Sequence, residues 1–419
     1  MNKPLEPPAV WVSDVLINLA DYHNGAAFSD RHWAKDGLPI IRIENINNED
    51  SEPDRYQGPV LNKNYIDTGD LIFSWSATLK VVIWDRGPAV LNQHLYKVVP
   101  KEIIQRDLLF QILNFNMGRL ASQSQGSTMK HVTRKELSKF KVVYPVGVHY
   151  QQKIARILKT IDRAIEKTEA LIEKYQQVKA GLMYDLFTRG IGPDGQLRPP
   201  REQAPELYHE TPIGWFPKEW DCNSFKWGLS AAPKNGYSPK EVDAWQGVCA
   251  LGLGCLTKYG FRPWQIKNAP VSLLGHSALL QDGDFLISRA NTPGLVGLCG
   301  LYRDVGYPAI YPDLMMRLRL NDRLNASFLE KYLLSPFVRQ RVSAIAVGTS
   351  ESMVKINSKN LKELMLIFPS IDEQARIVKG LEPVEKQISS LESQLSKLIK
   401  QKSGLMHDLL TGIVQVNSD

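Results

Sequence analysis

The residues able to do chemistry in this chain are few and widely scattered. Asp70 and Asp284 each follow a glycine at the mouth of an apolar strand, in Gly69-Asp-Leu-Ile-Phe-Ser74 and Gly283-Asp-Phe-Leu-Ile-Ser288. A carboxylate so placed could hold a proton or a metal, but aspartate after glycine at a strand entrance ordinarily closes a turn, and that is the expectation for both. Pro53-Asp54 and Pro193-Asp194 lack the downstream acidic-x-lysine strand of a nuclease centre. Cys222, Cys249, Cys255 and Cys299 lack the close pairing of a zinc or redox site and read as reduced thiols of core or loops. The sequence has no glycine-rich phosphate loop ending in Gly-Lys-Ser/Thr and no strand-linked Gly-x-Gly-x-x-Gly. It also lacks the Asn-Pro-Pro-aromatic tetrapeptide of adenine methyltransferases, and it has no metal-ligating cluster. The chain is therefore expected to catalyse nothing itself and to bind no cofactor or metal of its own.

Net charge is +7 and the pI is about 9.0, a balance that favours a polyanionic partner. At 419 residues, with 43% hydrophobic and 23% charged, the chain reads as two or three globular domains. No run of about 18 apolar residues occurs, and the opening Met1-Asn-Lys-Pro-Leu-Glu-Pro-Pro8 has no apolar centre of the signal-peptide kind. The expected location is cytoplasmic, with no membrane partner.

What must position any polar side chains is a tandem repeat. Gln151 to Leu186 lies over Gln374 to Leu409 without a gap at an offset of 223 residues, and both copies end alike, in Gly181-Leu-Met-Tyr-Asp-Leu186 and Gly404-Leu-Met-His-Asp-Leu409. In the first copy Ile154, Leu158, Ile161, Ile165, Thr168, Ile172, Tyr175, Lys179 and Leu182 step by fours and threes. The second copy repeats the pattern with Ile377, Leu381, Val384, Ile388, Leu391, Leu395, Leu398, Lys402 and Leu405. A seam of period 3.5 is the pattern of coiled-coil packing. Four heptads make rods of roughly 50 Å, and two matched seams in one chain bury each other most readily as an antiparallel pair. Ser370-Ile-Asp-Glu373 reads as a capping box at the second helix start. Pro383 predicts a kink or restart between Gly380 and Pro383, with the main rod running from Val384.

The repeat continues upstream. Asp107 to Leu113 pairs with Ser327 to Leu333 as capped helices, and Phe140-Lys-Val-Val-Tyr-Pro145 pairs with Leu364-Met-Leu-Ile-Phe-Pro369 as strands ended by proline. The fold class is α+β: two tandem mixed α/β modules, each followed by a long helix, the helices pairing as an antiparallel coiled coil. The expected bounds are a first module over 1–148, a helix over 149–190, a turn-rich linker over 191–210, a second module over 211–369 and a second helix over 370–414.

Two motifs carry a family resemblance. The second module opens with Thr211-Pro-Ile-Gly214, Pro217 and Trp220, and each half runs strand, proline, glutamine and long helix, at Gln151 to Gly190 and Gln374 to Ile413. In this order they resemble the specificity (S) subunits of type I restriction-modification systems over nearly the whole chain. The first module departs from the pattern, opening with Pro7-Pro-Ala-Val-Trp11. The resemblance implies that each module is a target-recognition domain reading one half of an asymmetric, split site in double-stranded DNA. It implies that the helices set the spacer and dock two methyltransferase (M) subunits, with restriction (R) subunits joining through these. S-adenosylmethionine, ATP and Mg would be used by those partners and not by this chain.

Under that reading, residues able to bridge bases or phosphates from loops are the DNA-facing candidates. These are Arg42, Asn45, Lys80, Gln93, His94, Gln123, Gln125 and Lys130 in the first module, and Lys258, Arg262, Arg289, Asn291, Thr349, Ser350 and Lys355 in the second. Trp75-Ser-Ala-Thr-Leu-Lys80 lies where the second copy has Arg289-Ala-Asn-Thr-Pro-Gly294, so the two half-sites are expected to differ. Trp75 and Trp264 read as partial core. The rival readings are a protein-binding scaffold and an unrecognised nuclease.

Overall fold

The structure is a computed structural model, and it describes residues 10–48, 50–123, 131–350 and 353–416. It divides into two compact units, 1–170 with 392–419, and 171–391. Each unit therefore holds one module together with stretches of both long helices.

In the first unit Leu71–Ser74 is buried on both faces and sits inside a four-stranded antiparallel sheet ordered Ala20–Asn24, Leu95–Pro100, Leu71–Ser74, Lys80–Ile83. In a second sheet Leu38–Ile41 runs parallel to Ala89–Leu91. Trp11–Val15 pairs antiparallel with Lys141–Pro145, the strand that feeds the long helix Val148–Thr188. The second unit repeats the plan. Phe285–Ser288 lies between Met315–Leu318 and Cys299–Leu301, Val248–Leu251 runs parallel to Ala309–Ile310, and Asp221–Ser224 pairs with Met365–Phe368 ahead of the long helix Ile371–Leu410. Both Gly-Asp pairs are turns. Gly69 (φ +98°) and Gly283 (φ +85°) take the left-handed conformation that glycine allows. Asp70 then accepts the Asp67 N–H at 2.8 Å and pairs with Lys97, while Asp284 accepts the Gln281 N–H at 3.0 Å and pairs with Arg317 and Arg319.

The predicted seam residues are the covered positions of both long helices. Ile154, Leu158, Ile161, Thr168, Ile377, Leu381, Val384, Ile388 and Leu391 are buried, while Ile165, Ile172, Tyr175, Leu182, Leu395, Leu398 and Leu405 are half-buried. The first helix covers 41 residues and the second 40. Pro383 neither stops nor restarts the second one, so of the expected kink or restart the restart does not occur. It stands on the exposed face, where water can meet the Lys379 carbonyl that its missing N–H leaves free, while Leu381 and Val384 anchor the buried side.

The helices are antiparallel in both units, and their contacts obey the repeat. In the first unit Asp162 accepts from Lys402 (2.6 Å) and from Gln111 of the module helix (2.9 Å). In the second, Glu385 accepts from Lys179 (2.8 Å) and from Lys331 of that module's helix. Asp162 and Glu385 are repeat equivalents, as are Lys179 and Lys402. Each helix therefore supplies the acid in one unit and the lysine in the other. The module cores are completed the same way. Met406, Leu409 and Leu410 join the core that holds Leu108, Ile154 and Leu158, and Met183, Leu186 and Phe187 join the one holding Phe328, Ile377 and Leu381.

One fully buried glutamine locks each helix start. Gln151 accepts the Gln105 N–H (2.7 Å) and donates to the Ile103 and Pro145 carbonyls (2.9 and 2.8 Å). Gln374 accepts the Asn325 N–H (2.8 Å) and donates to the Arg323 and Pro369 carbonyls (2.7 and 2.8 Å). The second half adds a tie through Glu373. The Ser370 hydroxyl does accept the Glu373 N–H (3.3 Å), but the Glu373 carboxylate does not turn back to complete the capping box. It is buried against Arg198 and accepts from the Trp220 indole (3.0 Å) and the Ile191 N–H (3.0 Å), pinning the segment after Gly190 to the helix start.

Replacing Gln151 or Gln374 by leucine removes the partner of three backbone groups, one of them, the Pro145 or Pro369 carbonyl, in a buried contact, and each substitution should lower stability by about 1–3 kcal/mol, read from urea unfolding midpoints. Burial alone would raise the Glu385 carboxyl, but hydrogen bonds and charge from Lys179 and Lys331 hold it below the usual carboxylate range. Its stabilising contribution is thus present at neutral pH and lost as pH falls through that depressed value. Glu385→Gln should be less stable than the parent at pH 7, with the gap closing below about pH 4 in a pH series of unfolding curves.

Candidate nucleic-acid interface

Backbone hydrogen bonds place one slot at the same point of each module. In the first, the Trp75 N–H donates to His94 O (3.4 Å), the Val132 N–H donates to Trp75 O (2.8 Å), and Ser76 bridges to His131. In the second, the Arg289 N–H donates to Leu314 O (2.8 Å), the Ile356 N–H donates to Arg289 O (2.8 Å), and Ala290 pairs with Lys355. Trp75 thus corresponds to Arg289, His94 to Leu314 and His131 to Lys355. Residues flanking the slot keep their character: Ser74 and Ser288 are fully buried, as are Val132 and Ile356. Just past the first slot Ala77 holds a φ of +55°, a left-handed conformation that costs an alanine energy, of the sort that collects at functional loops.

The first-module candidates fall into two groups. Arg42 pairs with Asp54 and lies 5.9 Å over the Trp33 ring, while Lys80 donates to Ile46 O at 2.7 Å. Asn45 is buried, accepts the Arg42 N–H (2.9 Å) and donates to Ser51 O (3.1 Å). Asn45 is thereby withdrawn from the candidate surface, because its amide is consumed in building the 42–54 loop. Gln93 is exposed beside His94, and Gln93 O accepts the Trp75 indole N–H at 3.3 Å. Gln123 ends the helix Arg106–Gln123, while Gln125 and Lys130 lie outside the described residues.

In the second module Asn291 and Lys355 share a three-stranded sheet of Ala290–Asn291, Met353–Lys355 and Val347–Ser350, the last carrying Thr349 and Ser350, and Arg289 directly precedes its first strand. Lys355 is exposed, Arg289 reaches Asp313 O at 3.4 Å, and Asn291 accepts the Thr292 N–H at 2.9 Å. Lys258 and Arg262 lie apart from these, exposed on the hairpin of Leu256–Thr257 and Gly260–Phe261, with Lys258 5.0 Å over Tyr259.

Trp264 follows that hairpin at 69% exposure, which corrects the expectation of partial core. Its backbone N–H donates to Arg262 O (2.8 Å), and the indole is left in water. His131 went unnoticed in the sequence; laying the loop before Val132 over the one before Ile356 would have set it opposite Lys355.

The four cysteines are free, and burial pushes the Cys249 thiol up to about 11 and the Cys299 thiol well above its ordinary range, so neither is a ready nucleophile. Among the described residues no group of three or more His, Cys, Asp or Glu could hold a metal ion, and no helix is long and apolar enough to cross a membrane.

A family model described as the type I restriction modification DNA specificity domain matches residues 11–175 and 274–401. The chain is similar to the type I restriction enzyme MjaVIII specificity subunit of Methanocaldococcus jannaschii, with 24% identity over 98% of this chain and 90% of that protein. It is also similar to the EcoBI specificity subunit of Escherichia coli, with 20% identity over 96% of this chain and 84% of that one. In fold it is similar to the type I restriction-modification S subunit from M. genitalium, with a TM-score of 0.55 and 13% identity over 98% and 97% of the two chains. A chain from a type I restriction-modification assembly gives a TM-score of 0.51 at 15% identity, over 99% of this chain and 100% of that one.

Because Asn45 is a strut and Trp264 a surface residue, Asn45→Ala should lower stability by about 1–3 kcal/mol. Trp264→Ala should change it by less than about 0.5 kcal/mol. Parallel thermal and urea melts of the two variants check the contrast.

Proposed function

Because this chain belongs to the family of type I restriction modification DNA specificity domains, we propose that its modules, 1–148 and 211–369, each read one half of a split, asymmetric site in double-stranded DNA. The observation that carries this is the matched slot: one backbone frame occurs twice, with indole and imidazoles in one copy and guanidinium and ammonium in the other. Two frames built alike dock alike, and unlike side chains in the same slot select unlike bases. The reading is non-catalytic, with base modification and cleavage left to partner subunits that use S-adenosylmethionine, ATP and Mg.

The paired helices supply the separation. DNA turns about every 10 base pairs, so two readers at a fixed distance accept only half-sites in one phase. A helix pair that exchanges its acid and lysine between its ends also offers two equivalent outer surfaces. That suits the docking of two methyltransferase (M) subunits, with restriction (R) subunits joining through them. The basic balance of the chain suits phosphate contacts, so affinity should fall steeply with salt.

Selection from random duplex pools, using the full chain assembled with the modification subunits of its system, should recover one split consensus. Deleting a heptad from both helices, 165–171 and 388–394, preserves the seam and both ion pairs and shortens each helix by about 10 Å. The selected spacer should contract by about three base pairs, at roughly 3.4 Å each, with both half-site sequences unchanged. An unaltered spacer would remove the ruler from this account.

A further inference from the structure

Resting on that reading, we propose that His131 and His94 form an imidazole slot around Trp75 through which the first module reads bases of its half-site. Three observations meet there. The Trp75 ring lies 5.9 Å from the His94 ring and 5.7 Å from the His131 ring, with Tyr96 at 5.6 Å behind it. The indole N–H donates to Gln93 O (3.3 Å), which ties the ring to the turn that carries His94. On both histidines the Nδ1 atom is sealed from solvent and has no hydrogen-bond partner among the described residues.

On His131 the sealed, unpartnered Nδ1 is least costly as a bare lone pair, which leaves Nε2 to carry an N–H. The His131 ring then offers one N–H donor to an outside partner, and the Gln93 amide, whose nitrogen lies 3.4 Å from His94 Nε2, offers a second. Guanine presents O6 and N7 acceptors at the floor of the major groove and adenine presents N7, so a pair of donors flanking an aromatic face selects purine edges. A structural role would call for similar residues in the equivalent place of the second module, as it does for Ser74 and Ser288 or Val132 and Ile356. That place instead holds Arg289 and an exposed Lys355, a pair that offers a forked donor and a point charge. Within a preserved frame, these positions are the ones free to change chemistry.

The test is a selection with the full chain and its modification subunits on duplexes randomised in both halves, comparing the parent with His131→Ala, His94→Ala and the double substitution Trp75→Arg with His131→Lys. The expected result for each alanine variant is a loss of about tenfold in preference at one or two first-half positions. The second-half consensus should stay intact, serving as an internal control for folding and assembly. The double substitution should install a new preference at those same positions. A first-half consensus identical to the parent's would overturn the slot, and an equal weakening of both halves would overturn it in favour of a purely structural role. If the parent itself yields no split consensus, the broader assignment fails, which is a different outcome.

Discussion

An acid on one helix meeting a lysine on the other, made twice with the roles exchanged, is the contact on which the rest of the architecture depends. Asp162 with Lys402 and Glu385 with Lys179 fix the antiparallel register, because any slip by one residue would break both pairs and rotate the apolar seam away from its partner. Each acid also accepts from its own module's helix, through Gln111 in one case and Lys331 in the other, so the same carboxylate that sets the register also orients the module on the helix. Alone, a half-exposed ion pair contributes little. Here each is flanked by buried seam residues and a second donor, and its value lies in specifying one arrangement among many that the apolar seam alone would tolerate.

The two halves depart from symmetry where function and chain continuity require it. The Gln151 and Gln374 clamps are the same device built twice, with the same three backbone partners in each copy. Glu373, by contrast, has Tyr150 at the equivalent place, and only the second half carries the buried Arg198 contact that holds the segment after Gly190. The slots diverge within a backbone frame that repeats: Trp75, His94 and His131 in one copy stand where Arg289, Leu314 and Lys355 stand in the other.

Much of this was legible in the sequence because it is written in periodicity. The 223-residue offset and the 3.5-residue seam mark both helices, and glycine before aspartate marks both turns. The features that escaped depend on partners far away in the chain. Glu373 has the local pattern of a capping residue, yet Arg198, distant in sequence, captures its carboxylate. Asn45 has the composition of a surface contact, and only the fold shows its amide turned inward to Ser51. Pro383 carries a strong local penalty that packing of Leu381 and Val384 overrides. His131 stands alone in the sequence and gains meaning only when Trp75 is brought beside it.

The core of the first module is finished by Met406, Leu409 and Leu410, which are synthesised long after Leu108 and Leu158. At about 5–20 residues per second, the nascent first module waits on the order of 10–50 seconds for those side chains, with the surface around Leu108 and Leu158 uncovered. A polypeptide that stops early, by nonsense mutation or premature release, leaves that surface permanently bare and presents it to chaperones and proteases.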